Sequence, residues 1–307
     1  MHNGLAFHVY DVFTDRIYAG NPLAIVEEAG ALSTAQMQAM ARQFNLSETI
    51  FVMPPRDPAH TARVRIFFPT AEIPFAGHPT LGCALHLAAR QASGGAATGG
   101  EIEIVLEEEA GRVPVRVWQD GESRMGQFTA PVLPERRAWD RPVADVAAAL
   151  GLSPDEIGLP GHKPALRKGG PSFLYVPVAS LEALGRAAPH APAWGAVVDV
   201  DGNDAAYLYA PDPDRPGGYR ARVFAPRGGI PEDPATGSAS AIFAGQLMDA
   251  GALGEGVTAV PLRQGVEMGR PSDIGLEADV AGGRLVAVRV SGRAVKVAEG
   301  RIEPPPT

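Results

Sequence analysis

Two short stretches of the chain set a titratable residue ahead of the same small-residue pattern. In His78-Pro79-Thr80-Leu81-Gly82-Cys83-Ala84 and Asp233-Pro234-Ala235-Thr236-Gly237-Ser238-Ala239 the order is polar residue, proline, two residues, glycine, small residue, alanine. Each stretch reads as a helix start. Such starts present backbone N–H groups and the positive end of a dipole, so Gly77-His78 and Thr236-Gly237-Ser238 suit a carboxylate or enolate oxygen. Removing a proton from carbon at neutral pH leaves charge of that kind, and preorganised N–H donors stabilise it as it forms. A nucleotide phosphate loop is set aside, because no lysine follows the glycines. Plainer readings stand beside these: His78 as a turn residue filling a gap, and Asp233 as a helix N-cap.

Other residues are less telling by themselves. Glu48 opens the run Glu48-Thr49-Ile50-Phe51-Val52 and alone reads as a surface glutamate at a helix-to-strand turn. Gly20-Asn21-Pro22 carries a turn signal. His86 follows His78 by eight residues, a spacing that does not pair them as ligands, so no metal site is expected. Cys83 takes the place of Ser238 in the repeat and reads as a small packing residue. Arg65 and Glu72 read as structural.

The elements that must hold these residues follow from periodicity. Alternation predicts strands over 5–13, 50–53, 62–68, 101–106 and 112–118. Ser33 with Gln36 forms a capping box, and Met37, Met40, Ala41 and Phe44 then recur at helical spacing over 33–45. A second helix is expected from Pro79, at its first position, to about Arg90, with Leu81, Ala84, Leu85 and Ala88 on one face. The second half predicts helices over 140–150 and 235–250, and strands near 172–178, 195–200, 205–210, 219–225, 257–263, 274–280 and 285–291. Helix and strand mix without a steady βαβ rhythm, which argues for α+β. The repeat extends upstream: Arg65-Ile-Phe-Phe-Pro69 matches Arg222-Val-Phe-Ala-Pro226, and Ile73-Pro74 matches Ile230-Pro231. Two similar lobes are therefore expected, 1–130 and 131–307, with the last strand or tail packing back on the first. A glycine-rich loop tip is expected over 93–100.

Composition limits the partners. The 307 residues carry 45% hydrophobic and 20% charged side chains, enough for a core in each half, and a net charge of −8. A basic stripe is absent, so nucleic acid is not an expected partner. The single cysteine excludes an internal disulfide and a cysteine-based zinc cluster. Neither a signal peptide nor a bilayer-spanning apolar run is visible, and a cytoplasmic location is expected.

Four motifs together carry a resemblance. Gly20-Asn21-Pro22-Leu-Ala-Ile-Val26, Leu46-Ser47-Glu48-Thr49, Pro74-Phe-Ala-Gly-His-Pro-Thr80 and Glu232-Asp-Pro-Ala-Thr-Gly-Ser238 resemble the phenazine-biosynthesis PhzF-like isomerase family, in the family's order and without departure at the motif positions. The late segment Ser291-Gly-Arg-Ala-Val-Lys-Val297 is similar as well. The resemblance implies a diaminopimelate epimerase-like fold: two pseudo-symmetric α+β lobes, each a sheet wrapped around a central helix, with the site in the cleft between them. It implies proton transfer without a cofactor on a small carboxylate substrate, and a homodimer. Glu48 maps onto the family's proton-carrying glutamate. His78 and Asp233 stand near the places where epimerases of this fold carry paired cysteines, and one cysteine cannot supply both. The catalytic set implied is thus Glu48, His78 and Asp233, with Asn21, Gly77, Thr236, Gly237 and Ser238 binding substrate. Two alternatives remain open at this point: a racemase or epimerase with a second base facing Glu48, and a binding or scaffold protein that has lost turnover.

Overall fold

The computed structural model describes residues 4–93, 100–200 and 202–306. The loop tip expected over 93–100 lies largely outside them. In chain order the first elements are β1 (Leu5–Val12), β2 (Asn21–Val26), α1 (Thr34–Phe44), β3 (Glu48–Met53), β4 (Ala62–Phe67), β5 (Glu72–Ile73), α2 (Gly77–Ser93), β6 (Ile102–Glu108), β7 (Gly111–Asp120) and β8 (Ser123–Thr129). There follow β9 (Glu135–Arg136), α3 (Val143–Leu150), β10 (Ala165–Lys168), β11 (Ser172–Pro177), α4 (Leu181–Arg186), α5 (Ala193–Val197), β12 (Ala206–Pro211), β13 (Tyr219–Ala225) and β14 (Ile230–Asp233). The chain closes with α6 (Gly237–Asp249), β15 (Gly256–Gln264), β16 (Ser272–Ala281), β17 (Arg284–Gly292) and β18 (Ala294–Ile302). Two compact units result: Met1–Thr129 with Ser291–Thr307, and Ala130–Val290. The C-terminal segment joins the first unit because β18 pairs antiparallel with β1, Leu5 opposite Ile302.

The repeat read from sequence reappears as strand pairing. In the first unit β2–β3 is parallel, β3–β4 and β4–β5 antiparallel, β4–β6 parallel and β6–β7 antiparallel. In the second, β11–β12 is parallel, β12–β13 and β13–β14 antiparallel, β13–β15 parallel and β15–β16 antiparallel. The long helix of each unit, α2 or α6, enters at the same point of that series. The matched arginines do the same work in both. Arg65 clamps Glu72 through Nε and Nη2 at 2.7 and 2.6 Å, and its guanidinium lies 5.2 Å from the Phe67 ring. Arg222 clamps Glu232 at 2.8 and 2.9 Å and lies 4.7 Å from the Phe224 ring.

In each unit the sheet surrounds its helix. Residues Gly77–Ala88 of α2 are all buried, and the helix packs on β1, β2, β3, β6, β7, β8 and β18. The single apolar face expected for this helix is therefore incomplete; enclosed by the sheet, this stretch of α2 is buried all round. Close approach requires Gly82, where a Cβ would lie 2.7 Å from Leu23 and Val12 side chains. In the second unit, Phe243 of α6 meets the rings of Tyr175, Tyr207, Tyr209 and Tyr219, and Tyr175 donates to the Ala239 carbonyl at 2.6 Å. Outside the long helices, Met37, Met40 and Ala41 of α1 pack on Val26, Phe51 and Phe67, below the predicted Ser33–Gln36 capping box. Val146 and Leu150 of α3 pack with Trp194 and Val197 of α5.

Three expectations change. Helix α2 begins at Gly77, so His78 lies inside its first turn and Pro79 is the third helical residue, where a missing N–H is still harmless. Residues 195–200 do not form a strand; Trp194, Val197 and Val198 recur at helical spacing and α5 occupies this region. Asn21 begins a strand rather than sitting in a free turn, with the turn made by Gly20 at φ +65°. Among the described residues no helix is long and apolar enough to cross a membrane.

Candidate active site

Glu48 opens β3 and is 7% exposed, although glutamate favours solvent. Its position is set by parallel pairing with β2, which places Glu48 beside Leu23. Asn21 starts that same β2 and is fully buried. His78, 2% exposed, comes from the first turn of α2. The three converge: Glu48 Oε2 lies 3.2 Å from His78 Nδ1, and Asn21 Nδ2 lies 3.4 Å from the same nitrogen.

Burial pushes the His78 imidazole down to about 3, against a hydrogen bond to the Pro22 backbone that raises it. The ring is therefore neutral at physiological pH, and its contact with Glu48 is not an ion pair. A neutral Nδ1 holds either a proton or a lone pair. With a lone pair it accepts from Asn21 Nδ2. Gly77 adds the start of α2 immediately before His78 and is buried.

In the second unit Asp233 ends β14 and is 8% exposed. It is not the helix N-cap; Thr236 takes that position, followed by Gly237 and Ser238 as the first residues of α6. The Thr236 hydroxyl donates to Asp233 Oδ2 at 2.5 Å. Gln264, fully buried at the end of β15, organises the pair. Its amide donates to the Asp233 carbonyl at 2.7 Å and to Thr236 Oγ1 at 3.0 Å, and it accepts from the Thr236 N–H at 3.1 Å. That N–H is consequently engaged. Gln264 was not singled out from sequence. Its signal was there: a polar residue in register with the inward Val260 and Leu262.

A second polar cluster in the first unit also escaped the sequence reading. His86 Nε2 and His8 Nε2 lie 2.8 and 2.9 Å from Glu27 Oε1, Arg90 holds Glu27 Oε2, and Tyr10 lies 3.1 Å from His86 Nδ1. The ligand atoms of His8, Glu27 and His86 fall within 4.8 Å of one another, a donor set that suits a divalent cation. Arg90 already supplies positive charge to that carboxylate. Cys83 is buried in α2 and burial pushes its thiol up, with Glu108 and Glu27 adding, so it is no nucleophile at neutral pH.

A family model described as "Phenazine biosynthesis-like protein" matches residues 10–300. The chain belongs to the phenazine biosynthesis-like PhzC-PhzF family. It is 42% identical over 298 residues to an uncharacterized isomerase of Mesorhizobium japonicum, covering 96% of this chain and 97% of that one. It is 36% identical over 294 residues to the trans-2,3-dihydro-3-hydroxyanthranilate isomerase of Pseudomonas aeruginosa, covering 95% and 97%. The crystal structure of a PhzF-family phenazine biosynthesis protein from Bacillus anthracis shares the fold, with TM-score 0.85 at 22% identity over 98% and 99% of the two chains. The chain is an isomerase by this kinship.

Proposed function

We propose that this PhzF-like isomerase moves a proton between two carbons of a small unsaturated carboxylate, with Glu48 as the single acid/base and no cofactor. The observation that carries the reading is the buried Glu48 carboxylate 3.2 Å from a neutral His78 imidazole. The Glu48 carboxylate takes a proton from an acidic C–H, and the electron pair left on carbon delocalises towards the substrate's unsaturated system. Protonated Glu48, beside the neutral His78 ring, then returns the proton to a second carbon on the same face. Asn21 fixes the imidazole, and the N–H groups at the start of α2 stabilise anionic oxygen as charge develops.

Kinship supports this substrate class: the Pseudomonas aeruginosa relative is named for trans-2,3-dihydro-3-hydroxyanthranilate, an unsaturated ring carboxylate. The test is turnover in D2O of a panel of such acids that starts with this compound. A single shielded base returns much of its own proton, so the product keeps protium at the new C–H. Complete solvent deuterium in the product, with protium kept at the original carbon of recovered substrate, would instead indicate a second base that delivers the new proton.

A further inference from the structure

Glu108 lies outside the site just described. It ends β6, is 9% exposed, and its Oε1 lies 2.6 Å from Thr80 Oγ1. Thr80 Oγ1 also lies 2.7 Å from the Ala76 carbonyl. Ala76, Gly77, His78, Pro79 and Thr80 are consecutive, so this chain of three oxygens brackets the entry turn of α2. A hydroxyl has one proton. With Glu108 ionised, the Thr80 proton satisfies one of its two short contacts and leaves the other as bare oxygen against oxygen. With Glu108 protonated, its O–H donates to Thr80 and the Thr80 O–H donates to Ala76, so both contacts are hydrogen bonds. The other carboxyl oxygen argues the same way: Glu108 Oε2 is buried and has no hydrogen-bond partner among the described residues. A carboxylate oxygen in that position would forfeit its hydration with nothing in return.

We infer that Glu108 is a neutral carboxylic acid in the working protein and acts as a positioning residue, donating through Thr80 to fix the α2 entry turn and thereby the His78 ring beside Glu48. The significance of the His78 position rests on the function proposed above; the protonation of Glu108 does not. Burial pushes Glu108 up to about 8, against the Thr80 hydrogen bond that lowers it. The group that faces it from α2 is the Cys83 thiol, itself kept neutral by burial. The adjacent Glu107 is engaged elsewhere, accepting from the Arg56 and Asp57 backbone and facing His60 Nδ1 at 2.8 Å. Above pH 8 the ionised Glu108 no longer donates, the Thr80 hydroxyl turns to it, and the Ala76 carbonyl loses that bond.

The experiment needs no substrate. Histidine-labelled protein is titrated from pH 6 to 10 and the His78 ring resonances are followed by NMR, for the native chain, Glu108→Gln and Glu108→Leu. In the native chain they shift with an inflection near pH 8 although the ring itself stays neutral. In Glu108→Gln, whose amide N–H donates at every pH, the inflection is gone and the low-pH position is kept. In Glu108→Leu the resonances are displaced throughout. Stability gives an independent arm. A folded pKa raised from 4.5 to about 8 contributes stability that is complete below pH 4.5 and lost as pH rises to about 8, so Glu108→Gln flattens that decline. A native chain without the inflection, or one whose inflection and slope persist in Glu108→Gln, overturns the inference. If Glu48→Gln remains fully active while the inflection behaves as expected, the proposed function fails and the role of Glu108 stands.

Discussion

His78 approaches Glu48 with Nδ1 3.2 Å from Oε2, and the imidazole in that contact carries no charge. A charged imidazolium would hold Glu48 permanently as its counter-ion. A neutral ring leaves Glu48 without that fixed counter-charge. The four consequences below follow from this arrangement and from the frame that holds it.

The first concerns acidity and stability. Burial pushes His78 down to about 3 and His86 down to about 4; for His86 the charges of His8 and Arg90 add to burial and Glu27 opposes it. Burial alone would raise Glu27, but the hydrogen bond and charge of His86, with Arg90 and His8, hold it below the usual carboxylate range. All three folded pKa values lie below the unfolded ones. Their contribution is therefore complete above pH 6.5 and is lost as pH falls, first through the two histidines and below 4.5 through Glu27. Unfolding in urea at pH 7, 6, 5 and 4 should show stability falling by up to about 1.4 kcal/mol per pH unit for each histidine, less the opposing gain from Glu108, which Glu108→Gln removes. A flat profile between pH 6.5 and 5 contradicts the neutral burial of these rings.

The repeated arginines should differ in weight. Arg222 holds Glu232 and also donates from Nη1 to the carbonyls of Leu184, Gly185 and Ala187, with its side chain 9% exposed. Arg65 has a side chain twice as exposed, at 18%, and besides Glu72 donates to the Thr34 hydroxyl. Arg222→Met should cost about 3–5 kcal/mol by stranding Glu232 and three carbonyls, and Arg65→Met about 1 kcal/mol. Chemical denaturation of the two variants measures this directly; equal losses would contradict it.

Gly20 sets the approach to Asn21. Its φ is +65°, and a Cβ there would sit 2.3 Å from the Val12 carbonyl oxygen. Gly20→Ala should therefore lower stability by at least about 1–3 kcal/mol, the range for strained backbone. It should also cut turnover more than a remote variant of equal stability, because Asn21 moves with the turn. Retention of full activity by a destabilised Gly20→Ala protein would remove Asn21 from the site.

The parts of this protein that were legible in the sequence are those written in local spacing. The capping box of Ser33 and Gln36, the two helix starts and the alternation in β6 and β7 each depend on residues within a few positions of one another. The pairing of Glu48 with His78 came from matching motifs, since from the bare sequence Glu48 reads as a surface residue. The missed features are long-range. His8, Glu27 and His86 meet only because β1, β2 and α2 are neighbours in space, and Gln264 reaches Thr236 across 28 residues. The misread 195–200 segment carries three valines that favour strand locally, and packing of Trp194 and Val197 on α3 overrides that preference.

The central claim is that Glu48 carries the proton, and Glu48→Gln tests it most directly. An amide of nearly the same shape keeps the buried contact with His78 but cannot take a proton from carbon. With a substrate identified in the D2O panel, the variant should fold like the native chain by circular dichroism, bind that substrate with similar affinity, and lose about 10²–10⁴-fold in kcat. A Glu48→Gln protein that turns over at the native rate would contradict the account.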